Sequence, residues 1–170
     1  MNNNTFAIES FISFCDDMMI AEEGFLNFKK KGKSDNSSNN AFNSIEDVMK
    51  SDVGSKYCTI KKDNVAVTFH DRVLNKIDHK EILNLYNKIM SKKSNIISII
   101  ANGAYRDLKG EMSEERRDDI IKNSYVDYID FYLNDKGKLD ASVYAYNAEQ
   151  YYLKDVNSKG FNINNVEYQD

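Results

Sequence analysis

Apolar and polar residues alternate along Tyr125 to Tyr146, YVDYIDFYLNDKGKLDASVYAY, on both sides of an Asp135-Lys136-Gly137 turn. Glycine at the loop position that needs a positive φ makes this a three-residue hairpin loop, which sets Leu133 opposite Leu139, Phe131 opposite Ala141 and Ile129 opposite Val143. A slip of one residue would oppose Phe131 to Asp140 and Ile129 to Ser142, so turn chemistry and hydrophobic pattern select the same register. The other face then carries Tyr128 against Tyr144, Val126 against Tyr146, Asp130 against Ser142 and Tyr132 against Asp140. It is aromatic at one end and acidic at the other.

A second hairpin is predicted over Lys56 to Asp71, with Asp63-Asn64 as a two-residue turn that sets Ile60 opposite Val67 and Cys58 opposite Phe69. Helical periodicity marks the rest. Ile8, Phe11, Ile12, Cys15, Met18, Met19, Phe25 and Leu26 form one stripe of a long helix from about Thr5 to Phe28, closed by Lys29, Lys30 and Lys31 at the negative end of its dipole. Ser44 caps a short helix to Lys50. Asp78 caps another to Met90, with Glu81 in the capping-box position and Ile82, Leu85, Tyr86 and Ile89 as its buried stripe. Ser94 to Tyr105 reads as a buried helix by its length and its Ser94 cap, against the strand preference of its isoleucines. Ser113 caps a further helix through Lys122, and Asn147 is a candidate cap for a final helical turn or two through Asp155.

Together these elements predict an α+β fold: an antiparallel sheet built from the two hairpins, about 56–71 and 125–146, packed against the long N-terminal helix, about 5–28, and further helices. The chain is expected to be a single globular domain over residues 1–170, with a flexible polar loop at about 29–43 and a loosely ordered tail at about 157–170. In that tail Phe161, Ile163 and Val166 alternate as a weak edge strand would.

Composition narrows the function classes. At 170 residues, with 41% hydrophobic and 12% aromatic content, the chain can bury its own core without staples. A net charge of -4 argues against a dedicated nucleic-acid binder, which needs a clustered basic surface. Cys15 and Cys58 fall on apolar stripes and read as small buried hydrophobes. No apolar run is long enough to span a membrane and the N-terminal stretch is not a signal peptide, so a cytoplasmic location is expected. Asparagine and lysine are abundant while arginine is scarce and proline absent, the bias of an A/T-rich genome, and small acidic chains of this kind are often encoded by phages and other mobile elements.

Candidate chemistry is sparse. His70-Asp71 is a pair that metal-dependent phosphohydrolases use, but the one other histidine, His79, starts a helix, and a divalent site wants three or four converging ligands. Asp130 and Asp140 lie diagonally on one face of the hairpin, within about 7–8 Å, where they could act as a carboxylate pair of a small hydrolase, His70 assisting. Solvated charges are the commoner outcome. Neither a glycine-rich phosphate loop nor a Gly-x-Ser-x-Gly elbow occurs, and no cofactor or metal is implied. What remains is tyrosine: eleven of them, with Tyr128, Tyr144, Tyr146, Tyr151 and Tyr152 concentrated around the C-terminal hairpin. Such a face is either a second core layer under a helix or a contact surface, since tyrosine supplies rigid contact area at small entropic cost. The function expected is therefore non-enzymatic: an accessory or inhibitor protein that contacts a host or partner protein stoichiometrically. Tyr128, Tyr132, Tyr144 and Tyr146 would form the contact, with Asp130 and Asp140 offering charge to a basic partner.

Overall fold

The computed structural model describes residues 41–50, 57–70 and 73–169. The helix expected over Thr5 to Phe28, the polar loop after it up to residue 40, and Cys15 lie outside the described residues. The elements run β1 (Ala41–Phe42), α1 (Ile45–Lys50), β2 (Tyr57–Ile60), β3 (Val65–Phe69), α2 (Val73–Lys76), α3 (His79–Ser91), α4 (Lys93–Asp107), α5 (Glu114–Asn123), β4 (Val126–Leu133), β5 (Leu139–Ala145), β6 (Tyr151–Leu153) and β7 (Val166–Tyr168). The strands form one sheet in sequence order, β1 to β7.

The fold is α+β, but the sheet is mixed rather than antiparallel. The two expected hairpins meet through a parallel pair, Val67 beside Ile129 and Phe69 beside Phe131, and β1 also runs parallel to β2. Parallel neighbours need a crossover of a dozen or more residues, and the chain from α2 to α5 is that crossover. Ala41 and Phe42, read as the end of the flexible loop, are the first strand.

The caps expected at Ser44, Asp78 and Ser113 form, whereas Ser94 falls inside α4, which begins at Lys93 behind Lys92 with no side-chain cap bond. The Ser44 side chain accepts from Asp47 N at 3.2 Å, Asp78 from Lys80 N at 2.8 Å, and Ser113 from Arg116 N at 3.1 Å. Ile82, Leu85, Tyr86 and Ile89 are buried on α3, and the segment around Ser94 to Tyr105 is helical as α4. These faces join the inward side chains of the sheet in one core: Cys58, Ile60, Val65, Val67, Phe69, Val126, Ile129, Phe131, Leu139, Ala141, Val143 and Leu153. Phe69 and Phe131 stack across the parallel pair with centroids 5.3 Å apart. Helix α4 approaches β7 so closely that a Cβ at Gly103 would lie 2.5 Å from Val166 Cβ, so only glycine fits there.

Both hairpins form, with two departures in register. In the first, Cys58 pairs with Val67 and Ile60 with Val65. The loop is thus four residues, Lys61 to Asn64, with Asn64 at φ 52, instead of two. The shift is even, so every side chain keeps its face. In the second, pairing follows expectation from Leu133–Leu139 to Tyr128–Tyr144, then skips Asp127, and Val126 pairs with Ala145 instead of Tyr146. This bulge turns Val126 inward, where it is buried.

The C-terminal region also differs. Residues expected as a helical turn after Asn147 form strand β6, with Val143 opposite Leu153 and Tyr144 opposite Tyr152. Three non-glycine residues with positive φ, Asn147 (58), Glu149 (53) and Gln150 (64), reverse the chain there. In the tail an edge strand does form, as β7, but it begins at Val166: Ile163 opens a 3-10 turn over Ile163–Asn165 and Phe161 lies before it, outside the strand.

Candidate functional site

The outward face of the sheet opposes the helix-packed core, and strand alternation alone places its residues. Tyr128, Asp130 and Tyr132 come from β4, Asp140, Ser142 and Tyr144 from β5, Tyr152 from β6 and Thr68 from β3. They divide into three regions along the strands.

At the hairpin tip the acidic groups are spent inside the chain. Asp140 is wholly buried. Its Oδ1 accepts from Ala141 N at 3.0 Å and Asn157 N at 2.9 Å, and its Oδ2 from Ser158 N at 3.3 Å and Asn134 Nδ2 at 3.4 Å. A carboxylate has about four acceptor sites, and all four are taken. Beside it the Tyr132 hydroxyl donates to Asp155 Oδ1 at 2.6 Å and accepts from Asp155 N at 3.2 Å. Burial pushes the Tyr132 phenol up, and the bond to Asp155 adds to the shift. Burial alone would raise Asp155, but its bonds from Lys159 and Tyr132, with the charges of Lys159 and Lys154, outweigh it and hold the carboxyl below its ordinary value. The tip is a lock that fastens residues 155–158 to the hairpin.

In the middle of the face Asp130 forms a polar cluster with its parallel neighbour. Its Oδ1 accepts from the Thr68 hydroxyl at 2.6 Å, its Oδ2 lies 3.0 Å from His70 Nε2, and Thr68 Oγ1 is 2.7 Å from the Tyr128 hydroxyl. His70 and Asp130 do pair, but Asp130 and Asp140 share no partner among the described residues. Asp140 also lacks the open acceptor site that acid/base work or cation binding would use. Among the described residues no group of three or more His, Cys, Asp or Glu is placed to hold a metal ion. Cys58 is buried, its Sγ lies 3.6 Å from Val67 O, and burial pushes its thiol up to about 12, which makes it a poor nucleophile.

Towards the open end the face becomes aromatic. Tyr128 and Tyr144 pair with centroids 5.0 Å apart, and Tyr144 stacks on Tyr152 at 4.7 Å. Burial raises the Tyr144 phenol and the charge of Asp130 raises it further. The series ends at Tyr125 and Tyr146, stacked at 5.1 Å with planes 10° apart and joined by Tyr146 N donating to Tyr125 O at 2.8 Å. These two are exposed, at 40% and 37%.

Comparison with known proteins finds no family model, curated protein or solved structure that matches the chain. The chemistry of the face is therefore read from its own geometry. Of the six residues expected to contact a partner, Asp140 and Tyr132 lie in the lock, Asp130 in the His70 cluster, Tyr128 and Tyr144 in the half-buried ladder, and Tyr146 at the exposed end. Three more, outside that set, belong with them. Tyr152 enters the ladder through β6. Tyr125 stacks on Tyr146. Asp127 is the extra residue of the bulge. Tyr125 and Tyr152 were legible as tyrosines at the borders of the hairpin, whereas Asp127 was not.

Proposed function

We propose that this protein acts by stoichiometric contact with a partner protein, through the aromatic end of its outward sheet face. Tyr125 and Tyr146 are the outermost contacts, and Tyr128, Tyr144 and Tyr152 continue the aromatic face beside them. The observation that carries the reading is the Tyr125–Tyr146 stack: two large aromatic side chains, both exposed, set at the end of a row of tyrosines spanning three strands. Covering the part of each ring still exposed is worth about 1 kcal/mol, and tyrosine is enriched where proteins meet. Each ring stacks on the other before any encounter, which lowers the cost of ordering them. The asparagine- and lysine-rich composition supports an accessory or inhibitor protein of a phage or other mobile element in an A/T-rich genome.

The test is capture of the partner from cells of the native host, followed by reconstitution of the complex from purified components. Wild type is expected to re-form a complex of defined stoichiometry. Tyr125→Ser/Tyr146→Ser is expected to lose at least about tenfold in affinity at an unchanged thermal midpoint. A complex that the double variant forms equally well would overturn the assignment of this surface.

A further inference from the structure

Asp127 stands apart from the other acidic groups around this sheet. Asp130 pairs with His70 and Thr68, Asp155 with Lys159 and Tyr132, Glu167 with Lys154 and Tyr152, and Asp119 and Glu149 with Arg116. Asp140 takes four N–H donors. Asp127 is half-buried at the bulge and makes no ion pair with any described residue, its one compensation being a hydrogen bond from its own backbone. Burial therefore pushes its carboxyl up to about 7. It lies close enough to Tyr125 that, after burial, its charge is the next cause raising that phenol, followed by Tyr146. A half-buried carboxyl without a counter-charge is a cost that folds normally avoid, and here it sits beside the exposed tyrosine stack.

We infer that Tyr125, Tyr146 and Asp127 together form a receptor for an arginine side chain of the partner protein, the guanidinium stacking on the exposed tyrosine face while pairing with the Asp127 carboxylate. The inference rests on the partner-contact reading above and names the chemistry of that contact. The two features call for the same ligand. Stacked tyrosine rings present a negative π face to a cation, a half-buried carboxylate needs a cation, and a planar guanidinium can satisfy both at once where a compact ammonium meets only one well. The chain already uses this mode internally: the Arg117 guanidinium lies over the Tyr105 ring, 5.1 Å from its centroid. Arginine is also among the residues enriched at the centres of protein interfaces.

The test needs no partner. Purified full-length protein is titrated with N-acetyl-arginine amide, N-acetyl-lysine amide and the uncharged isostere N-acetyl-citrulline amide while the ring resonances of Tyr125 and Tyr146 are followed by NMR at pH 8. The arginine amide is expected to shift both rings saturably, with a midpoint on the order of tens of millimolar, as suits one isolated side chain. The lysine amide should bind several-fold more weakly, and citrulline should produce no saturable shift. Asp127→Asn should remove the arginine response while leaving the two rings stacked. An equal response to citrulline, a response unchanged in Asp127→Asn, or no response to the arginine amide would each overturn the inference. The citrulline arm uses wild type alone, so the test survives if the variant folds poorly. The two readings separate cleanly. A partner complex that needs the tyrosines but is indifferent to Asp127→Asn keeps the contact surface and removes the arginine, whereas a saturable arginine response without any partner keeps the receptor and removes the proposed function.

Discussion

The two ends of the β4–β5 hairpin are built from the same residue types, tyrosine and aspartate, and treat them oppositely. At the tip, Tyr132 and Asp140 are closed over by residues 155–158, and every acceptor site of the buried carboxylate is filled. At the open end, Tyr125 and Tyr146 stack in the exposed surface, and Asp127 stays half-buried with no counter-charge among the described residues. Tyrosine and aspartate on one sheet face thus do not define one site. The difference among the described residues lies in what is brought to each end: a segment rich in donors returns to the tip, and a bulge marks the other.

The contrast can be broken by substitution, and the largest effect belongs to the tip. Asp140→Ala leaves the N–H groups of Asn157 and Ser158 unsatisfied and should cost about 3 kcal/mol or more, read as a shifted denaturant midpoint at unchanged slope. A loss under about 1 kcal/mol would show that the lock is ornamental to folding. Asp127 comes next and has the opposite sign. Its folded carboxyl titrates near 7, above the ordinary 3.8, so the folded state holds the proton more tightly. That stabilisation is complete below about pH 4 and lost as the pH rises through 7. Asp127→Asn, neutral throughout, should match wild type near pH 4 and exceed it at pH 8 by about 1–3 kcal/mol, and a constant difference across that range would contradict the assignment. Tyr132→Phe removes the hydroxyl between the two bonds to Asp155 and should cost about 1–2 kcal/mol in chemical denaturation. Smallest in stability is Tyr125→Ser/Tyr146→Ser, expected within about 1 kcal/mol of wild type, because these rings hold nothing down.

How much of this was legible in the chain depended on how local the deciding interaction was. The β4–β5 register was readable from Leu133–Leu139 to Tyr128–Tyr144 because Gly137 and the apolar alternation agree. The bulge was not: no glycine or proline marks Asp127, and only the buried position of Val126 shows that the phase has changed. In β2–β3 the pattern alone could not separate a two-residue from a four-residue loop, since both place Cys58, Ile60, Val65 and Val67 on one face. Strand β6 was hidden by left-handed conformations at Glu149 and Gln150, residue types that seldom announce them. The Arg116 bonds that hold this loop, to Glu149 Oε1 at 2.8 Å and Asn147 Oδ1 at 3.0 Å, cross more than thirty positions. The parallel joining of the hairpins is similarly non-local, set by the packing of the helices between them. For the site, the tyrosine-rich face was visible from alternation, whereas its division was not, because the partners of Asp140 and Tyr132 lie 17 to 23 residues further along.

The central claim is that the open end serves contact and the tip serves folding. The most direct test measures partner capture and thermal midpoint on the same preparation of Tyr125→Ser/Tyr146→Ser, beside wild type. The expected result is capture reduced at least about tenfold with a midpoint within about 4 °C of wild type. Full capture, or a midpoint lowered by many degrees, would contradict it: the first would put the partner elsewhere, and the second would make the stacked tyrosines part of the core.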